Sequence, residues 1–353
     1  MLKRTPLFGV QSRLNAKFGP FGEWEMPLWF PEGIKREVLA VRNEAGIFDV
    51  SHMGEFLISG RKSLKFLQNL LTNDLSKIEI NKAQYNLMLN DEGGVIDDLI
   101  VYRLGLEEWR LVVNASNVNI DKDWICKNLI SDVDFRDESE DWGLIAVQGP
   151  KSEKVLKSLS CDIENLRRFE FRKTEINETK VEIARTGYTG EDGFEIFVRP
   201  MEASVLYESF LELGLCPVGL GARDALRLEV CYPLHGHEIG LDINPLQAGL
   251  GWAVKFDKGS FIGRDSLLSY REKDEKREVF ALFPEVPVRE GSEVYSNKSL
   301  IGRVTSGLFS PTLERPIALA LLDNTVKKNE ELVIKKGKRF KIARLCKKPF
   351  YRR

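Results

Sequence analysis

The chain has 353 residues, 43% hydrophobic and 30% charged, with 52 basic against 53 acidic side chains, 28 Gly and 14 Pro; at roughly 150 residues per domain this is material for two or three domains with real cores. Neither disorder nor a fibrous repeat fits this composition. No apolar run approaches the ~20 residues that span a bilayer, the opening Met1-Leu2-Lys3-Arg4-Thr5-Pro6 lacks the apolar core of a signal peptide, and five scattered Cys without a CxxC indicate neither a disulfide framework nor a Cys-rich zinc site, so the expectation is a soluble cytoplasmic protein whose Cys act as small buried hydrophobes.

The first predicted helix covers 33–45, with Ile34, Val38, Val41 and Ala45 on one stripe and Gly46 as its stop. Residues 63–71 (SLKFLQNLL) form a second amphipathic segment. Strands follow at 85–89, 95–104 and 109–113, the first two joined by a turn at 90–94. Asn114 or Ser116 is placed to cap a helix running to about Leu129. Residues 144–148 read as a buried strand, and Gly149-Pro150 opens a helix through Leu159, with Pro150 in its first turn.

Strands at 181–185 and 194–198 flank a Gly-rich loop, TGYTGEDG, at 186–193. Helices are expected near 201–213 and 222–230. The charged stretch REKDEKR at 271–277 is the best linker, and the short Gly- and Pro-punctuated strands beyond it imply a small all-β domain, a barrel. From 327 to 353 there are 12 Lys or Arg and two acids, a local charge of +10, which leaves −11 on the rest of the chain. A basic end on an acidic body points to an anionic partner; a solvated strand-and-turn surface is the alternative.

Several common catalytic engines are excluded. No G-x-G-x-x-G follows a strand, no G-x-x-x-x-G-K-[ST] is present, and no G-x-S-x-G elbow occurs. His235 and His237 at i, i+2 share a face only in extended chain, and His52 is the sole third imidazole, which favours cap or core roles over a metal triad.

Four segments carry residues that bulk structure does not need. In GGVIDDLIVY (93–102), Asp97 and Asp98 face opposite sides of a strand. An inward carboxylate there costs several kcal/mol unless hydrogen-bonded, so it either binds or protonates a substrate nitrogen or satisfies local backbone. In RTGYTGEDGFEIF (185–197), three Gly permit unusual backbone angles and close approach to a ligand, Tyr188 offers a stacking face, and Glu195 lies just inside the returning strand. In GLGARDALRLE (219–229), Arg223 and Arg227 share a helical face, and Arg223 is placed to clamp a carboxylate, with an Asp224–Arg227 surface pair as the plainer reading. FDVSHMGEF (48–56) is an apolar strand interrupted by Ser51 and His52.

Together with RTPLF, EWEMP, LTNDL, VVNASN, VQGPKS, GLGWAVK, TSGLFSPTL and the ending KKPFYRR, these segments run in an order that resembles the aminomethyltransferase, or T-protein, family of the glycine cleavage system over nearly the whole chain. The resemblance implies an α+β fold of three domains round a central hole that holds tetrahydrofolate. Its divisions would be 1–270, as two interleaved subdomains (roughly 1–52 with 140–235, and 53–139 with 236–270), and a β-barrel at 278–353. The implied reaction takes an aminomethyl group from the lipoyl arm of the H-protein, releases ammonia and yields 5,10-methylenetetrahydrofolate. Glycine decarboxylase and dihydrolipoyl dehydrogenase are the functional companions, and no metal, prosthetic group, nucleic acid or membrane is involved.

Carried over by motif, the family's key aspartate falls on Asp98, and its folate-binding Glu and Arg fall on Glu195 and Arg223. Tyr85, Asn114 and Tyr188 take further folate-lining positions, and Tyr232 and Tyr351 match aromatic positions near the folate. The chemistry agrees in kind: carboxylates pair with guanidine-like NH groups of a pteridine, Tyr faces stack, and Arg takes a carboxylate or carbonyl. The basic end would suit an acidic lipoylated partner. The chain departs from the family pattern at His235, often Tyr, at Gly240, commonly an acid, and in the opening FGEWEMP. A folate-dependent demethylase is the alternative enzyme on this scaffold, and a non-catalytic folate- or nucleic-acid-binding protein the alternative from another class.

Overall fold

The run at 143–148 is apolar without alternation because the strand Gly143–Gln148 is buried at every position, inside a six-stranded sheet. In this computed structural model, which describes residues 1–353 except 275, 328, 329 and 338, the sheet order is Phe171–Ile176, Thr179–Ala184, Gly193–Val198, Gly143–Gln148, Gly46–Asp49 and Cys216–Val218. Glu275 of the charged stretch and Lys328 and Lys338 of the basic end lie outside the described residues. The chain divides into two units, residues 1–67, 75–85 and 99–224, and residues 68–74, 86–98 and 225–353.

The first unit holds the six-stranded sheet. Helix Pro200–Glu212 turns Ala203, Leu206, Tyr207 and Phe210 inward, the i, i+3, i+4, i+7 spacing of an apolar stripe. They pack in one cluster with Ile47, Ile145, Val147, Phe194 and Ile196. A second sheet runs in the order Ala83–Leu89, Val95–Arg103, Glu108–Val113, Gly54–Ser59 and Asp134–Asp137. Across it Tyr102, Arg110, Leu57 and Arg136 are register partners in turn, so Val101, Leu111 and Phe56 face the other side.

In the second unit six strands close into a barrel: Arg277–Pro284, Arg315–Asp323, Ser299–Ser310, Glu293–Ser296, Leu332–Lys336 and Arg339–Cys346. The apolar stretch 317–322 is explained by its two faces. Ala318, Ala320 and Leu322 fill the barrel with Val294, Val304 and Ile334, while Ile317, Leu319 and Leu321 pack outside it with Leu228 and Ile243. Bulges at 294/295 and 304/306 supply the local bends that closure requires.

The α+β fold with a C-terminal barrel stands as the residue pattern implies, with local corrections. Helix Gly33–Asn43 stops short of Ala45, because Gly46 opens a strand. Neither Asn114 nor Ser116 caps the next helix: Asn117 precedes Val118–Asn128, and its side chain makes no cap bond. Pro150 lies before helix Ser152–Ser158, since Gly149 at φ +134° turns the chain. Helix Phe8–Arg13 and strands Lys17–Phe21, Trp24–Trp29, Asp134–Asp137, Phe171–Ile176 and Cys216–Val218 lack the periodic signal used to find other elements, and the strand expected at 48–56 is two, Gly46–Asp49 and Gly54–Ser59, in different sheets. The stretch at 271–277 joins helix Arg264–Glu272 to the first barrel strand. Of the five Cys only Cys161 is buried, and Cys126 is exposed.

Candidate functional site

The Gly-rich loop is tied down by its neighbours. Arg42 Nη1, at the end of helix Gly33–Asn43, donates to Thr189 O (2.8 Å) and to Glu191 (3.0 Å). Gln148 Nε2 donates to Thr186 O, and its Oε1 accepts from Thr189 Oγ1, each at 3.0 Å. Arg185 clamps Asp192 at 2.9 and 2.6 Å. The close approach that glycine permits here is to Gln148: a Cβ on Gly187 would stand 1.9 Å from Gln148 Oε1, and one on Gly193 would stand 2.4 Å from its Nε2. Gly187→Ala is therefore expected to cost about 1–3 kcal/mol by overpacking, read as a lower thermal midpoint.

This anchoring presents a cluster in the first unit. The Arg223 guanidinium lies 4.9 Å from the centroid of the Tyr188 ring, within cation–π range. Glu195, third in strand Gly193–Val198, accepts from Thr186 Oγ1 at 2.5 Å. Loss of hydration raises its pKa, opposed by the Thr186 hydrogen bond and the Arg223 charge. His52 is buried edge-on to Phe21, and among the described residues neither ring nitrogen has a hydrogen-bond partner. Burial, assisted by the Arg223 charge, lowers its pKa to about 3. The ring is thus neutral at pH 7, with one N–H to give and one lone pair to accept. Tyr85 and Asn114 lie in the same unit, in and just beyond strands of the second sheet.

Asp98, Tyr232 and Tyr351 belong to the second unit. On strand Val95–Arg103 alternation buries Asp97 completely and leaves Asp98 half-buried. The strand's start is fixed on both sides of the peptide at Val95, whose N–H donates to Gly240 O (2.9 Å) and whose O meets His235 Nε2 (3.1 Å). His235 therefore acts as a strand holder, with Nε2 the protonated nitrogen. His237 Nδ1 sits 3.0 Å from Thr305 O. Tyr351 N–H donates to Glu229 O (2.8 Å), and Tyr232 N–H to Arg227 O (2.9 Å). Arg227 is buried against Glu238 (2.8 Å) and Ser306 (3.0 Å). Lys258 Nζ collects the carbonyls of Gln68 (2.7 Å), Leu71 and Asn73 (2.9 Å), tying down the end of helix Ser63–Leu70.

All eight residues singled out for folate or catalysis are half-buried, neither enclosed nor fully exposed. Sequence reasoning passed over His52, Thr186 and Tyr102. The only signal was the polar interruption of an apolar strand at His52. A cavity of about 710 Å³ in the first unit is lined by Arg110, Trp142, Glu182 and Arg199, and one of about 430 Å³ in the second by Phe256, Tyr270 and Glu278. Neither contains any of the eight. Among the described residues no group of three His, Cys, Asp or Glu is placed to hold a metal, and no helix is long and apolar enough to cross a membrane.

Residues 7–258 match the family model described as GCVT N-terminal domain, and residues 277–352 the glycine cleavage T-protein C-terminal barrel domain. The chain belongs to the glycine cleavage T-protein family of aminomethyltransferases. It is 46% identical to the aminomethyltransferase of Caldanaerobacter subterraneus subsp. tengcongensis, over 100% of this chain and 96% of that protein. It is 43% identical to that of Bacillus subtilis, over 100% of both. The crystal structure of glycine cleavage system aminomethyltransferase T from Bartonella henselae superposes with a TM-score of 0.94 at 33% identity, over 99% of this chain and 98% of that one. The T-protein family accounts for both the α+β part and the closed barrel.

Proposed function

We propose that the chain moves the aminomethyl carbon carried on the lipoyl arm of the H-protein to tetrahydrofolate, giving 5,10-methylenetetrahydrofolate, ammonia and dihydrolipoyl H-protein. The observation that carries this reading is the gathering of Glu195, Arg223, Tyr188 and the unpartnered His52 in a chain of this family. Tetrahydrofolate is read as a co-substrate, and these groups suit it: Glu195 accepts from NH donors, Arg223 takes a carboxylate or carbonyl, Tyr188 gives a stacking face, and His52 has both a donor and an acceptor to offer. When bound, tetrahydrofolate supplies the nucleophilic N5 nitrogen. Tyr85, Asn114, Tyr232 and Tyr351 are assigned as further folate contacts.

Asp98 is assigned the proton. Its carboxylate orients the ring and handles a proton as the bond to ammonia breaks, help worth ~10²–10⁴-fold, and holding two substrates in register supplies the rest. The anchorage of Val95 by Gly240 and His235 supports this, because it fixes the strand three residues before Asp98. No metal or prosthetic group enters the scheme. The division of 1–270 into two interleaved subdomains, a cytoplasmic setting, and service alongside glycine decarboxylase and dihydrolipoyl dehydrogenase belong to the same proposal.

The donor tests it. With aminomethylated H-protein, ammonia should appear only when tetrahydrofolate is added, one per methylene product. Turnover of an N-methyl donor without H-protein would favour the demethylase. Docking is assigned to the basic end, where Lys347 is exposed. Reversing Lys347 and Lys348 to Glu is expected to raise the KM for H-protein and flatten its salt dependence, since rim charges act on encounter. An unchanged KM and salt response would remove that role.

A further inference from the structure

Glu195 does not stand alone in the first unit. Its Oε2 accepts from Thr186 Oγ1 at 2.5 Å, and Thr186 Oγ1 lies 3.4 Å from Tyr102 Oη. Thr186 and Tyr102 are both buried. Tyr102 is braced edge-on by Phe171 and Phe197, with centroids at 5.4 and 5.6 Å. A hydroxyl carries one proton. If Thr186 spends it on an ionised Glu195, the Thr186 oxygen must accept from Tyr102, which fixes the direction of both bonds.

We propose that Tyr102 and Thr186 form a two-hydroxyl relay that positions Glu195 and keeps it ionised as the acceptor of folate N–H donors; this rests on the reading of Glu195 as a folate contact. The relay is built into the sheets. Tyr102 belongs to the five-stranded sheet and Glu195 to the six-stranded one, and Thr186 opens the loop that precedes the Glu195 strand. Both are positioning residues, since they act through Glu195.

The surroundings of Glu195 leave this task to few groups. Its cross-strand partners are Ala184 and Ala146, which bear no charge. Arg223 is the charge that favours its ionised form, and burial opposes it. Behind Tyr102 stand Arg110 and Glu55; burial, Glu195 and Glu55 hold the phenol protonated, opposed by the Thr186 hydrogen bond and the Arg110 charge. The buried Glu55 carboxyl has no hydrogen-bond partner among the described residues, and its pKa is pushed well up by desolvation. Against the desolvation of Glu195, the hydrogen bond from Thr186 stabilises the ionised form directly, beside the Arg223 charge.

The sign of the pH effect follows. Folate affinity that needs ionised Glu195 is complete above its pKa and lost as pH falls through it. Removing the Thr186 donor raises that pKa further, so the loss begins at higher pH. The test is the dissociation constant of 5-methyltetrahydrofolate, measured from pH 5 to 9 on the full chain and its Glu195→Gln, Thr186→Val, Thr186→Ser and Tyr102→Phe variants. Thr186→Val is expected to weaken binding about ten- to a hundredfold at pH 7, the range of a hydrogen bond to a charged group, and to move the acid limb up by about a unit or more. Thr186→Ser should restore both. Tyr102→Phe, which keeps the ring packing, should shift both in the same direction by a smaller factor, and it carries the test if Thr186→Val does not fold.

If Glu195→Gln bound folate like wild type, the folate reading of Glu195 would fail, and the relay with it. If Glu195→Gln weakened binding while Thr186→Val and Tyr102→Phe kept wild-type affinity and acid limb, the folate reading would stand and the relay alone would be overturned. A pH-independent loss that Ser does not rescue would equally reduce Thr186 to a packing role.

Discussion

Asp98→Asn is expected to lower turnover by about 10²–10⁴-fold while changing the folate dissociation constant only a few-fold. The amide keeps the shape and hydrogen-bonding reach of the carboxylate but cannot take a proton. The neighbouring carboxylate provides the contrast: Asp97 is fully buried and Asp98 half-buried on the same strand, so Asp97→Asn should show itself in the melting temperature rather than in turnover. Steady-state kinetics with saturating H-protein, paired with folate titrations, separates the two. Equal losses of turnover and folate affinity in Asp98→Asn would make Asp98 a binding group only.

Glu238→Ala is expected to destabilise the second unit by about 3–5 kcal/mol, the cost of stranding one member of a buried ion pair. Arg227 and Glu238 are each 1% exposed. Glu238 Oε2 accepts from Arg227 Nη1 (2.8 Å) and Leu234 N (3.1 Å), and Oε1 accepts from Thr305 Oγ1 (2.6 Å). Cutting it out removes the buried carboxylate from a guanidinium that also donates to Ser306 and the Tyr232 carbonyl. At roughly 2–4 °C per kcal/mol, the calorimetric midpoint should fall by on the order of 10 °C. Replacing both partners, Arg227→Met with Glu238→Leu, should recover most of the loss, because no charge is then left buried. A Glu238→Ala midpoint within a degree or two of wild type would contradict this.

The barrel was legible because short strands punctuated by Gly and Pro follow the charged stretch at 271–277, and the Asp97–Asp98 pair because period-two geometry separates adjacent residues. Arg223 and Arg227 were legible as a pair on one helix face, but not their separate fates. A helical stripe records which side is inward without saying what waits there, and Arg223 meets Tyr188 while Arg227 meets Glu238. The glycines of the 186–193 loop were legible as a demand for close approach, and the approach is to Gln148. Contacts made across long sequence separations left no local trace. Tyr102 and Thr186 are 84 residues apart, and His52 reads as a mere interruption until Phe21 and Arg223 surround it.

The central claim is that Glu195, Arg223 and Tyr188 seat a folate, and the most direct test is a crystal structure of the chain with 5-methyltetrahydrofolate. The account predicts a pteridine N–H within hydrogen-bond distance of the Glu195 carboxylate, with Tyr188 and Arg223 against the ligand. Folate bound elsewhere, in the Arg110–Trp142 cavity for example, with Glu195 still held only by Thr186, would contradict it.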